Sequence, residues 1–151
     1  MSEPRLLLDA KANLGEGPLW SARDQAIYWT DIKVKRLNRY RLADGATQSW
    51  DMPDTIGWAV ERRGKPGFVV GLGHAIVEVT LDPFAVTRRC AMEIDKPANR
   101  LNDAKVDPAG RVWFVSGLGY RSAALDAVPG LETVYRDREH KLQRAPARRL
   151  D

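Results

Sequence analysis

Ala26-Ile27-Tyr28-Trp29-Thr30-Asp31 places four β-branched or aromatic residues in six positions. Such side chains suit a pleated, half-buried surface. The triplet Ile27-Tyr28-Trp29 returns 41 residues later as Phe68-Val69-Val70, and 44 after that as Val112-Trp113-Phe114. Its flanks return with it. LNRYRL at 37–42 is followed by IVEVTL at 76–81, and TQSWDM at 47–52 by VTRRCAM at 86–92. A period of about 40–45 residues holding four short strands is the pattern of β-propeller blades. A blade buries its faces only against neighbouring blades, so a single unit is not self-sufficient.

Outward from that triplet, the chain up to residue 116 reads as strands throughout. Apolar residues do not recur at helical spacing over any long window. Short apolar runs are cut instead by turn signals every 8–12 residues or so. The expected strands are 17–20, 26–31, 37–42, 47–52, 57–61, 67–71, 75–81, 86–92, 103–107 and 111–115. Asp44-Gly45 reads as a hairpin turn, and Asp107-Pro108-Ala109-Gly110 as another. A single antiparallel sandwich of about ten strands is the alternative architecture. Beyond Ser116 the rhythm stops: residues 117–151 hold no Trp and no Phe, and are rich in arginine near their end. Residues 133–142 are compatible with a helix carrying an exposed charged face, or with an irregular tail. The expected organisation is therefore 1–116 as propeller and 117–151 as a divergent tail, with a truncated or frame-shifted reading frame as one source of such a change.

Composition narrows the function classes. The chain has 151 residues, 44% hydrophobic and 29% charged, enough for a buried core and a soluble surface. All five Trp residues precede residue 114. The net charge is +4, spread evenly: 17 basic and 15 acidic residues up to Ser116, and 7 and 5 after it. No run of five like charges and no basic stripe points to nucleic acid. Cys90 is the only cysteine, which excludes an internal disulfide and a multi-cysteine zinc site. No apolar stretch approaches the ~20 residues that span a bilayer. Leu6-Leu7-Leu8 is too short for a signal core. These features predict a cytoplasmic protein with neither a nucleic-acid nor a membrane partner.

Two segments carry candidate chemistry. In Leu14-Gly15-Glu16-Gly17-Pro18-Leu19-Trp20 a carboxylate stands between two glycines just before a strand, uncovered enough to ligate a hard cation. The bland reading is a solvated Glu in a turn. In Asn99-Arg100-Leu101-Asn102-Asp103 an extended chain would point Arg100 and Asn102 the same way. A guanidinium fork and a carboxamide suit a polyhydroxylated ligand. The bland reading there is a capped turn. His74 and His140 have no third ligand in view. No Gly-x-Ser-x-Gly elbow, P-loop or complete dinucleotide fingerprint occurs.

LGEGPLW (14–20), IYWTDI (27–32) and NRLNDAKVDPAGRVWF (99–114) together resemble the senescence-marker-protein/gluconolactonase/regucalcin family over residues 6–116 or so. The resemblance implies a six-bladed propeller with one divalent cation in its channel, Ca²⁺, Zn²⁺, Mg²⁺ or Mn²⁺, and metal-dependent hydrolysis of a sugar lactone. Glu16 matches a metal-ligand position; Arg100 and Asn102 match positions that contact the sugar. The family's remaining metal ligands, an Asn and an Asp that is also the usual general base, belong to later sequence than this chain contains. The catalytic residue is therefore unknown, and the expectation is a weakly active or inactive fragment. A non-catalytic binding module built on part of a propeller is the alternative, and open blade edges predict self-association.

Overall fold

The computed structural model describes residues 3–92, 95, 97–117, 121–125, 132–136 and 142–146, with side chains described up to Ser116. Within them the chain forms thirteen β-strands and no helix. The first four are β1 (Gly15–Ser21), β2 (Ala26–Asp31), β3 (Arg36–Arg41) and β4 (Thr47–Asp51). They make one antiparallel sheet in sequence order. A second sheet follows in the same order from β5 (Ile56–Glu61), β6 (Phe68–Leu72), β7 (Ala75–Leu81) and β8 (Phe84–Ala91). The third has five strands: β9 (Arg100–Val106), β10 (Val112–Gly117), β11 (Arg121–Leu125), β12 (Glu132–Arg136) and β13 (Leu142–Pro146). This is a partial propeller of three consecutive blades. The ten strands expected up to residue 115 are all present, most with ends displaced by one to three residues.

The helix considered for 133–142 does not form where the backbone is described. Thr133 to Arg136 pair with Gln143 to Ala145 and Leu142 as antiparallel strands. Thr133, Val134 and Tyr135 are β-branched or aromatic, and they favour strand once β11 offers an edge to pair with.

Both expected turns close as chemistry requires. Gly45 has φ of 68°, its N–H reaches the Arg41 carbonyl at 2.9 Å, and the Arg41 N–H reaches the Ala46 carbonyl at 2.9 Å. Gly110 has φ of 86° and donates to the Asp107 carbonyl at 2.9 Å. The Asp107 carboxylate accepts from the Arg111 N–H at 2.9 Å and from the Trp113 indole N–H at 3.0 Å. These bonds, with the indole contact first among the causes, hold its pKa down at about 2.

The core lies between sheets. One cluster joins the first and second blades through Tyr28, Leu37, Trp50, Met52, Ile56 and Phe68, among others. A second joins the second and third blades through Trp58, Ile76, Cys90, Leu101, Val112 and Phe114. Alternation of side chains along each strand sends one set of residues into each gap. Glycine permits close approach between sheets at Gly57 and within the second sheet at Gly71. A Cβ on Gly57 would lie 2.1 Å from the Leu101 carbonyl oxygen, and one on Gly71 would lie 2.3 Å from the Trp58 indole nitrogen. None of the described residues forms a helix long and apolar enough to cross a membrane.

Candidate functional site

The first strand of each sheet, β1, β5 and β9, sits at that sheet's edge, and β5 packs against both of the others. At one end, the Ser21 hydroxyl of β1 donates to the Glu61 carboxylate of β5 at 2.6 Å. The Arg23 guanidinium pairs with Glu61 at 3.1 Å. At the other end, Gly57 of β5 lies on the carbonyls of Leu101 and Asn102 of β9. The three strands therefore run side by side in one direction, and their starting residues share one end.

Glu16 is the second residue of β1, and Arg100 and Asn102 are the first and third of β9. The fold thus brings the three sequence-predicted residues to the same end of adjacent inner strands, with β5 between them. It does not bring their side chains into hydrogen-bonding contact with one another among the described residues.

Local structure explains Glu16. The Asp31 carboxylate, buried at 5% exposure, accepts the Asn13 N–H at 2.8 Å and the Leu14 N–H at 3.0 Å. It ties down the chain immediately before the Glu. The Thr30 hydroxyl donates to the Glu16 carbonyl at 3.2 Å. Gly17 turns the backbone with φ of 58°, a conformation that side chains rarely tolerate. The Glu16 side chain is left exposed, with no hydrogen-bond or ion-pair partner among the described residues. Asp31 is the positioning residue that the motif reading did not single out. Its signal was the carboxylate closing the IYWTD run directly opposite Gly15.

At β9 the structure corrects a detail. The strand register steps from Val115–Asp103 to Ser116–Leu101, leaving Asn102 as the extra residue of a bulge. Buried Leu101 and Ala104 are consequently three apart rather than two. Strict alternation does not apply between Arg100 and Asn102, because a bulge re-aims the side chains around it. Both residues are half-buried, and Arg100 Nη1 donates to its neighbour's carbonyl, Leu101 O, at 3.3 Å. Gly57 is the extra residue of an equivalent step in β5. β1 has its own irregularity after Glu16, and the three inner strands open as GEGP (15–18), IGWA (56–59) and RLNDA (100–104). The last brings in Asp103, whose carboxylate holds Lys105 Nζ at 3.1 and 3.2 Å.

Among the described residues no group of three or more His, Cys, Asp or Glu side chains is gathered that could hold a metal ion. Ca²⁺ takes six to eight oxygens, and Glu16 offers one carboxylate. The described residues do not by themselves make a cation site. Cys90 is buried, and burial raises its thiol pKa, which leaves it inert as a nucleophile.

With this geometry in view, the SMP-30/gluconolactonase/LRE-like region model matches residues 14–144. The chain belongs to that family. The match passes beyond residue 116, where the sequence reading placed the break. Relatives include 6-deoxy-6-sulfogluconolactonase of Pseudomonas putida, 35% identical over 100 residues, covering 66% of this chain and 34% of that protein. L-arabinolactonase of Azospirillum brasilense is 36% identical, covering 72% of this chain and 36% of that protein. Regucalcin of Xenopus laevis is 32% identical, covering 69% and 34%. The chain thus spans about a third of the length of these relatives. A calcium-binding regucalcin from Agrobacterium tumefaciens has the same fold, with a TM-score of 0.70 at 20% identity over 95% of this chain and 46% of that one. A luciferin-regenerating enzyme gives 0.67 at 24%, over 90% and 46%. The relatives that the chain resembles thus include lactonases.

Proposed function

We propose that this chain carries one part of a sugar-lactone hydrolase site, the part that orients the sugar and supplies one anionic donor. The observation behind the reading is the common end of β1, β5 and β9, where an unpartnered Glu16 carboxylate and the half-buried Arg100 and Asn102 all start their strands. Arg100 presents a fork of N–H donors, of which Nη1 is engaged with Leu101 O. Asn102 presents both a donor and an acceptor. Together they suit the hydroxyl and ring oxygens of a sugar lactone, and fixing its orientation is itself a large share of catalysis. Glu16 is one donor toward a divalent cation, Ca²⁺, Zn²⁺, Mg²⁺ or Mn²⁺, whose other donors come from outside the described residues. One carboxylate does not choose among these ions. The general base likewise belongs elsewhere.

Lactone hydrolysis, followed by acid release with each of these cations added, tests the reading together with saturation-transfer NMR of lactone binding. We expect turnover within a few-fold of the uncatalysed rate, and a binding signal that Arg100→Ala removes. Binding unchanged in Arg100→Ala overturns the role given to Arg100. Fast cation-dependent turnover lost in Glu16→Gln would mean that the chain is catalytically sufficient. A second reading, a non-catalytic interaction module, draws on the exposed apolar side chains Trp113 and Val115. It predicts association without cation-coupled turnover.

A further inference from the structure

Two polar side-chain atoms lie enclosed between the second and third sheets with no hydrogen-bond partner among the described residues. They are the indole Nε1 of Trp58 and the hydroxyl Oγ of Ser116. Trp58 is 1% exposed and Ser116 8%. In folded proteins the great majority of buried polar groups are hydrogen-bonded, either to protein or to ordered water. A buried donor or acceptor left without a partner is destabilising, because it has given up its bonds to solvent for nothing.

Both atoms belong to one gap. Trp58 of β5 lies over Gly71 of β6, where a Cβ would come within 2.3 Å of Nε1. The same indole stacks on Phe114 of β10, with ring centroids 6.2 Å apart. Ser116 stands two residues beyond Phe114. Strand β10 pairs with β11 in unbroken register from Val112 to Ser116. Alternation therefore holds along it, and Ser116 shares with Val112 and Phe114 the face turned to the second sheet. The bulge opposite Ser116 lies in β9, not in β10. At the end where the inner strands start, the Leu101 N–H bridges the gap by donating to the Gly73 carbonyl at 2.9 Å. From the other end a cleft of about 610 Å³, lined in part by Val60, Val69 and Val112, reaches as far as Trp58.

We propose that this gap is a binding site for one ordered water molecule, which accepts the Trp58 indole N–H and donates to Ser116 Oγ. The two side chains are chemically complementary, since an indole nitrogen only donates and a hydroxyl both donates and accepts. They nonetheless do not bond to each other. A buried water is held by two to four polar partners, and the gap offers two. An apolar ligand would leave both atoms unsatisfied. A charged one would find no counter-charge, because the buried side chains around them are apolar, Ile76, Leu101, Val112 and Phe114 among them. Ser116 is the register partner of Leu101. The water thus fastens the second sheet to the strand that pairs with the Arg100–Asn102 segment. The site is independent of the lactonase reading, because hydration is observed without turnover.

A high-resolution crystal structure of the chain is expected to show one water within about 2.7–3.2 Å of both Trp58 Nε1 and Ser116 Oγ. A direct bond between the two atoms overturns the proposal, and so does a Ser116 hydroxyl turned onto a backbone carbonyl with no water at the indole. In solution, NMR of the ¹⁵N-labelled chain reads the same site. Trp58→Phe identifies the Trp58 indole proton by the loss of its signal. That proton is expected to cross-relax with water with the sign of a long-lived bound molecule. Ser116→Ala is expected to abolish this cross-peak and shift the indole proton, because one partner does not hold the water. An unchanged cross-peak and shift in Ser116→Ala shows that no water is shared and overturns the bridge. Circular dichroism of each variant separates a lost water from a lost fold.

Discussion

At the scale of single residues, Tyr28 carries the clearest pH dependence. It is 1% exposed, and its hydroxyl donates to the Asp24 carboxylate at 2.8 Å. Burial first, then that hydrogen bond, pushes its pKa up to about 12 from an ordinary value near 10. As pH rises through about 10, the unfolded chain releases this proton before the folded chain does. The stability that Tyr28 contributes is therefore complete below about pH 10 and is lost between about 10 and 12. Tyr28→Phe removes one hydrogen bond to a charged acceptor and should cost about 1–3 kcal/mol at neutral pH. It should also flatten the fall in melting temperature across that alkaline window. Denaturation series at pH 7 and from pH 9.5 to 12 check both. An equally steep alkaline fall in the variant would assign the effect to other groups. Residue chemistry was the most legible level of the sequence. The exposure of Glu16 between glycines was readable because Gly17 leaves no side chain to shield it. Asp31 was not, because its role depends on backbone N–H groups 17 and 18 residues away.

At the scale of elements, β5 is wedged between two neighbours, and its second residue decides how near β9 comes. A methyl at Gly57 meets a backbone carbonyl rather than a movable side chain. Relief therefore requires β9 to shift, and Gly57→Ala should destabilise by at least about 1–3 kcal/mol. Because Trp58 stacks on Phe114 across the same gap, the near-UV circular dichroism of the folded variant should also weaken. Unchanged stability and unchanged aromatic signal would show that the close approach is not required. Strand identity and both hairpin turns were plain in the sequence, since alternation, Asp44-Gly45 and Asp107–Gly110 are local signals. The bulge at Asn102 was not. It arises from pairing with β10 over an intervening turn, and it changes how the Arg100–Asn102 pair is presented.

At the scale of the whole molecule, stability resides between blades. Phe68 is 1% exposed and packs on Tyr28 of the preceding blade, with the Arg23 guanidinium 6.0 Å from its ring. Phe68→Ala removes contacts on both sides of that junction and should cost about 3–5 kcal/mol. The first two blades share one core cluster, so they should unfold together, in a single denaturant transition whose midpoint falls with little change in slope. A biphasic transition in the variant would mean that the blades fold independently.

The sequence by itself determined the strands, the repeat, the family and the identity of the candidate residues. Each of these is written in local alternation, turn chemistry or a short motif recurring at fixed spacing. It also left residues 133–142 open between helix and irregular chain, because propensity there is weak and the deciding partner is a strand elsewhere. Only the tertiary structure decided that β12 and β13 extend the third sheet. Only it set β1, β5 and β9 side by side with their starts at one end, and left apolar side chains exposed on blade faces. These outcomes depend on which surfaces meet across tens of residues, and no local pattern specifies that.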